Sequence, residues 1–233
     1  MTDPDRTLHT RWSVLDQLQG RSAEDTWRWF IERYRPYILA CLARRIQPRA
    51  RAEQAAEEIW SYLFTSSMIE NADRDRRFRT YLAGTVRYFA LGWLRKQSAE
   101  GSEDGLEEVS GEPDPALQFE ELDWHLWTRQ VIQLALDELG QRSAEQAQAL
   151  RWFYGLPASL DEEPAESRSA SWIAGELGLE ANAVHQLIFR GRKGLRSCIE
   201  SELRETVRHA DDLDDEMRQV FQVIEHESPG LGG

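Results

Sequence analysis

Apolar side chains return at three- and four-residue steps along most of this chain, a period that belongs to amphipathic helices and not to strands. From Ser22 onward the stripe is Trp27, Phe30, Ile31, Tyr34, Ile38, Leu42 and Ile46, and Pro36 is expected to kink or divide the helix that carries it. A second helix is expected over about 52–64, with Ala56, Ile59, Trp60 and Leu63 inward and Glu53, Glu57 and Glu58 outward. A third takes up Phe78, Tyr81, Leu82, Thr85, Val86, Phe89 and Trp93 and ends at Leu94, Arg95 and Lys96, where cations suit the negative end of the helix dipole. The runs of Ala, Leu, Glu and Arg favour the same conformation, so the expected fold class is all-α.

The period lapses over 98–115, which is rich in Gly, Ser, Glu and Pro and is expected to be a flexible, self-repelling linker. A second helical block starts near Phe119 with Leu122, Leu126, Val131, Leu134, Leu136 and Leu139, and continues with Ala147, Leu150 and Phe153 after an expected break at Gly140. A loop follows over 156–167. The division is therefore two small helical domains, 10–97 and 119–205, an acidic linker at 98–118 between them, and an acidic extension at 206–233. In that extension an amphipathic helix carries Met217, Val220, Phe221 and Ile224.

With 233 residues the chain has enough length for two modest cores. Its net charge of -13 argues, as an average, against nucleic acid, but the charge is segregated. Between residues 98 and 123 stand ten acids and no Lys or Arg, while Arg74, Arg76, Arg77, Arg79, Arg87, Arg95 and Lys96 form one basic island and Arg190, Arg192, Lys193 and Arg196 another. Cys41 and Cys198 lie far apart in helical patterns, which fits buried thiols in a reducing compartment better than a disulfide or zinc framework. No apolar run approaches the ~20 residues that cross a bilayer, and Asp3 and Asp5 stand where a signal peptide is cationic and apolar. The expectation is a cytoplasmic protein without membrane insertion. No catalytic residue, metal site or cofactor is expected: the five histidines are scattered, the pairs Glu121 with His125 and Glu205 with His209 lack a full ligand set, and no P-loop, nucleophile elbow or dinucleotide fingerprint occurs.

The most specific local pattern is a helix-turn-helix: Ser169 as N-cap, a short helix with Ile173, Ala174 and Leu177, a turn at Gly178, and a longer helix with Val184, Ile188 and Leu195 inward. Ala174 is expected to give the second helix room to approach. The outward residues Asn182, His185, Gln186, Phe189, Arg190, Arg192 and Lys193 would then face a DNA groove, Asn and Gln suiting adenine edges and Arg and Lys suiting guanine or phosphate. The alternative is an ordinary helical hairpin with a solvated basic end. Over 74–96, arginines alternate with Phe78, Tyr81, Tyr88, Phe89 and Trp93, a mixture that can track a single strand's backbone and stack its bases. Here the alternative is an aromatic core beneath a solvated basic face, and Phe78, Tyr81 and Phe89 share the apolar stripe.

Taken together, three stretches resemble extracytoplasmic-function sigma factors, the small promoter-recognition subunits of bacterial RNA polymerase. RFRTYLAGTVRYFALGWLRK at 77–96 is similar to the family's promoter-melting helix, AEQAAEEIW at 52–60 to its polymerase-binding helix, and 177–196 to its C-terminal helix-turn-helix, including the Arg190-x-Arg192-x-x-Leu195-Arg196 ending. The opening TRWS at 10–13 is similar to that of one subgroup. The resemblance covers about 10–97 and 126–203. It implies a region-2-like and a region-4-like domain, and no enzymatic activity of the chain itself. It assigns core RNA polymerase to Glu53, Gln54, Glu57, Glu58, Trp60 and Leu63. Arg74, Arg76, Arg77, Arg79, Arg87, Tyr88, Trp93, Arg95 and Lys96 are assigned to the minus-ten element, whose flipped base would enter the loop at 68–77. The outward residues of the helix-turn-helix are assigned to the minus-thirty-five element. Gln54, Tyr88, Gly92 and Asn182-Ala183 depart from the family's usual Asp, Asn, Asp and Gly-Thr, differences that bear on polymerase affinity and promoter sequence.

Further partners that this resemblance admits are an anti-sigma factor and a regulatory kinase acting near Ser61, Thr65, Ser66 or Ser67, where phosphate would add negative charge beside Gln54. The acidic linker or tail would either cover a basic DNA-facing surface in the free protein or serve as a solvated tether. Two other functions use part of the same features: a helix-turn-helix repressor or activator, and a polymerase-binding, anti-sigma-like adaptor without promoter recognition.

Overall fold

The computed structural model describes residues 23–65, 77–100, 121–204, 206–207 and 210–227. Among the described residues all regular structure is helical: α1 (Ala23–Ala43), α2 (Arg49–Thr65), α3 (Phe78–Glu100), α4 (Glu121–Arg142), α5 (Ala144–Tyr154), α6 (Ala170–Leu177), α7 (Ala181–Arg204) and α8 (Ala210–Glu227). The chain forms two compact units, Met1–Trp127 and Thr128–Gly233. The expected linker at 98–118 lies outside the described residues except for 98–100, which continue α3 as helix, Ser98 Oγ donating to the Leu94 carbonyl at 3.0 Å.

In the first unit α1, α2 and α3 pack on one another. Pro36 does not divide α1, which runs unbroken through it. Three of the α2 residues that meet its neighbours, Ala52, Ala55 and Ala56, are fully buried, and side chains this small let the flanking helices come close. Phe30, Tyr34, Tyr37, Ile38, Leu42 and Ile46 fill the interior from α1, Ile59 and Leu63 from α2, and Phe78, Leu82, Val86 and Trp93 from α3.

Residues 121–127, which the sequence pattern places at the start of the second domain, pack instead in the first unit. The physical reason is Trp127. Its ring lies parallel to Tyr34 at 6.3 Å, edge-on to Tyr37 at 5.6 Å and beside Phe78 at 6.2 Å, and it is fully buried. Asp123 adds a polar clamp, both carboxylate oxygens accepting from Arg45 Nη2 at 2.7 and 3.0 Å while Arg45 Nη1 donates to the Cys41 carbonyl. A carboxylate this buried is tolerable only with such a partner.

In the second unit α7 packs on α5, α6 and α8. The expected break at Gly140 does not occur: α4 continues to Arg142 and the chain turns at Ser143, which is extended. A Cβ at Gly140 would meet that of Ala147 at 3.6 Å, an ordinary packing distance, so the position sits within the helix without needing a glycine. Gly155, at φ +65°, ends α5. The loop after it is tied down: Arg151 Nη1 donates to the Pro157 carbonyl and to Gln133 Oε1, Arg168 N to the Trp152 carbonyl, and Ala165 N to the Gly155 carbonyl.

Candidate nucleic-acid interface

The helix-turn-helix forms as its sequence dictates. Ser169 is extended and its hydroxyl accepts from Trp172 N at 3.2 Å, satisfying one of the amides that the first turn of α6 leaves open. Gly178 takes φ +64°, and its own N–H closes on the Ala174 carbonyl. After Leu179 and Glu180, α7 begins at Ala181. Ile173, Val184, Ile188 and Leu195 are buried between the elements.

The room for α7 comes from a source that the sequence reading missed. Ala174 is only half-buried. The close approaches are at Gly191, where a Cβ would meet the Leu150 side chain at 3.2 Å, and at Gly194, where it would meet Leu139 Cδ1 at 2.7 Å. The signal was present: both glycines fall on the inward side of α7, in step with Ile188 and Leu195, where a glycine in mid-helix otherwise costs ~1 kcal/mol against alanine.

On the outward side Asn182, His185, Gln186, Phe189, Arg190, Arg192 and Lys193 are all exposed. They are not an unorganised fringe. Arg190 Nη2 reaches Gln186 Oε1 at 3.4 Å, the Lys193 ammonium lies 4.5 Å from the Phe189 ring centre, and Arg192 lies over Phe153 and Tyr154 of α5 at 5.3 and 5.6 Å. Arg196, the last member of this basic island, is also exposed, with its guanidinium over Phe221 of α8 at 5.2 Å. The tail helix itself is built into the unit, with Met217, Val220, Val223 and Ile224 buried.

The first unit holds its candidates less openly. On α2, Glu53, Gln54, Glu57 and Glu58 are exposed, Trp60 is half-buried against Phe30, and Leu63 belongs to the core. The carboxylates are engaged: Glu53 with Arg49, Glu57 with Arg35 at 2.7 Å, and Glu58 with both Gln54 and the indole of Trp93. Trp93, assigned to DNA by the sequence, is 4% exposed and donates Nε1–H to Glu58 at 3.0 Å, so it is an interior residue joining α3 to α2. Arg79, likewise assigned, is 9% exposed, with its guanidinium 4.2 Å from the Trp124 ring centre.

Arg77 precedes α3, and its carbonyl accepts from Thr80 N. Arg87 and Tyr88 are half-buried, and Arg95 and Lys96 are exposed. Burial, with Tyr88 nearby, pushes the Tyr62 phenol up to about 12. Arg74, Arg76 and the rest of the loop at 68–76 lie outside the described residues, as do Ser66 and Ser67; Ser61 is exposed.

No protein-family model matches this chain, and no curated protein matches it in sequence. Among the described residues no helix is long and apolar enough to cross a membrane, and no three His, Cys, Asp or Glu side chains come together as metal ligands.

Proposed function

We propose that this chain is a promoter-recognition subunit of RNA polymerase, a sigma factor of the extracytoplasmic-function type. The observation that carries the reading is the exposed stripe of α7, seven side chains able to hydrogen-bond bases, neutralise phosphate or pack on a base edge, presented by a capped helix-turn-helix. A second helical unit stands before it in the chain, with an acidic face on α2 and exposed cations at the end of α3, in the order of the sequence resemblance. In this reading the first unit engages core polymerase and the minus-ten region, and α7 engages the minus-thirty-five element. The phosphodiester chemistry belongs to the polymerase.

The test is run-off transcription from a library of random promoters, with core RNA polymerase and with or without the chain. Enriched transcripts that share two spaced upstream elements are the expected result. Core-polymerase binding without chain-dependent initiation would replace this reading with the adaptor, and sequence-selective DNA binding without polymerase binding would replace it with the helix-turn-helix regulator.

A further inference from the structure

Phe189 is an anomaly on an otherwise polar stripe. It is 58% exposed, more than the other outward large apolar residues of the second unit, Trp172 and Leu179. Its neighbours one turn away on the outward side, His185, Gln186, Arg192 and Lys193, are polar and exposed. No rotamer change can bury it within α7's own contact surface, because Ile188, one residue and ~100° earlier, already faces inward together with Val184, Gly191 and Leu195.

The surroundings of the ring define what it can meet. Lys193 covers one face with its ammonium at 4.5 Å, and the Arg190–Gln186 contact runs alongside. Cationic groups on both sides favour a polyanion over an apolar protein groove. A phenyl group makes no hydrogen bond to a base edge, and the major groove offers it one apolar group among the four bases, the 5-methyl of thymine.

Resting on the promoter-recognition reading, we propose that Phe189 is a specificity-determining residue that selects thymine at one position of the duplex site by packing on its 5-methyl group. Lys193 holds the ring and neutralises the adjacent phosphate, while Gln186 and Arg190 meet the flanking pairs. The discrimination is for the methyl group itself, so deoxyuridine, which pairs identically and lacks it, is a poorer ligand.

The experiment uses the full chain assembled with core RNA polymerase, and a duplex enriched from a randomised pool by repeated selection on that complex. Each thymidine of the duplex is replaced singly by deoxyuridine and the dissociation constant measured. One position is expected to weaken binding about fourfold, the equivalent of about 0.8 kcal/mol for one buried methyl group. Phe189→Ala is expected to bind the thymidine duplex as weakly as the deoxyuridine one and to lose the difference, while Phe189→Leu keeps part of it. Both side chains replace an exposed residue, and circular dichroism checks that the fold is intact. Tight, sequence-selective binding with no thymidine–deoxyuridine difference at any position would overturn the role of Phe189 and leave the promoter-recognition reading standing. A difference that survives in Phe189→Ala would assign the methyl group to another residue and overturn it likewise. If no duplex is enriched at all, both the proposal and the reading beneath it fall.

Discussion

In the second unit the outward residues of α7 stand in solvent while Gly191, Gly194 and the Ile188 stripe make the core contacts; in the first, Arg79 lies against Trp124 and Trp93 is interior, bonded to Glu58. The difference follows from how each unit builds its core. A helix that packs with one side and binds with the other keeps the two roles apart by its period. The first unit uses aromatic rings from four separate segments, and the segment at 121–127 supplies a ring and a carboxylate that draw cations inward. A face of the first kind is presented as folded. In the second kind, a residue such as Arg79, 9% exposed beside Trp124, must first leave the interior before it can reach another ligand, whereas Arg192 and Lys193 keep their aromatic contacts at the surface.

The most forceful way to break this comparison is to remove Trp127. Trp127→Ala deletes a fully buried ring that touches Tyr34, Tyr37 and Phe78, and is expected to cost about 3–5 kcal/mol in urea unfolding. A loss under about 1 kcal/mol would mean that 121–127 does not belong to the first unit's core.

In the second unit the corresponding test is a backbone one. Gly155→Ala places a Cβ 2.0 Å from the Ala165 carbonyl oxygen at φ +65°, a collision with backbone that no side-chain rotation relieves. The expected loss is about 2–3 kcal/mol. Gly178→Ala, at φ +64° with nothing within 4 Å of the new carbon, carries the φ penalty alone and is expected to cost about 1 kcal/mol. Equal losses at the two sites would show that the Gly155–Ala165 contact contributes nothing.

Of these two glycines, Gly178 marks where the sequence was legible. Gly178 falls between two short apolar stripes and directly after Leu177, so a turn was readable there, and Ser169 was readable as the cap. The all-helical class and the approximate span of each helix follow from the 3.6-residue period in the same way. The expected break at Gly140 falls three residues early, because a glycine inside a helix looks the same in sequence whether it ends the helix or is carried within it, and the turn comes at the extended Ser143. The burial of Trp93 and Arg79 was not readable for a related reason. Periodicity says that a residue is at the edge of a stripe but not which distant side chain closes over it, and Glu58 and Trp124 lie 35 and 45 positions away. The α7 candidates escaped this problem because their inward neighbours are unambiguous.

The Arg45–Asp123 pair sharpens the contrast between held and open cations at a smaller scale. Both partners are largely buried, so a double-mutant cycle with Arg45→Ala and Asp123→Ala is expected to give a coupling of about 1–3 kcal/mol. Lys193→Ala, which removes an exposed ammonium from α7, is expected to leave stability within about 0.5 kcal/mol and, on the promoter-recognition reading, to reduce the salt dependence of DNA binding by about one counterion. A negligible coupling at Arg45–Asp123 would place that clamp with the surface pairs and remove one half of the comparison.

The last effect is the most local. Cys41 lies beneath the same clamp, and burial, followed by the nearby Asp123 carboxylate, pushes its thiol up from 9.0 to about 12. The Tyr37 phenol beside it is raised for the same leading reason. Between those two values the folded chain keeps a proton that the unfolded chain releases, so stability falls as pH rises. Cys41's contribution is therefore fully present below about pH 9 and is lost progressively toward about pH 12. Cys41→Ala removes the ionisable group while leaving Tyr37 and the Arg45–Asp123 pair in place. Its unfolding free energy is expected to decline less steeply over that range than that of the parent chain. If the two slopes coincide, the thiol is not held in the low-dielectric pocket formed by Tyr37 and the clamp, and the first unit is more open at that point than its side-chain contacts indicate.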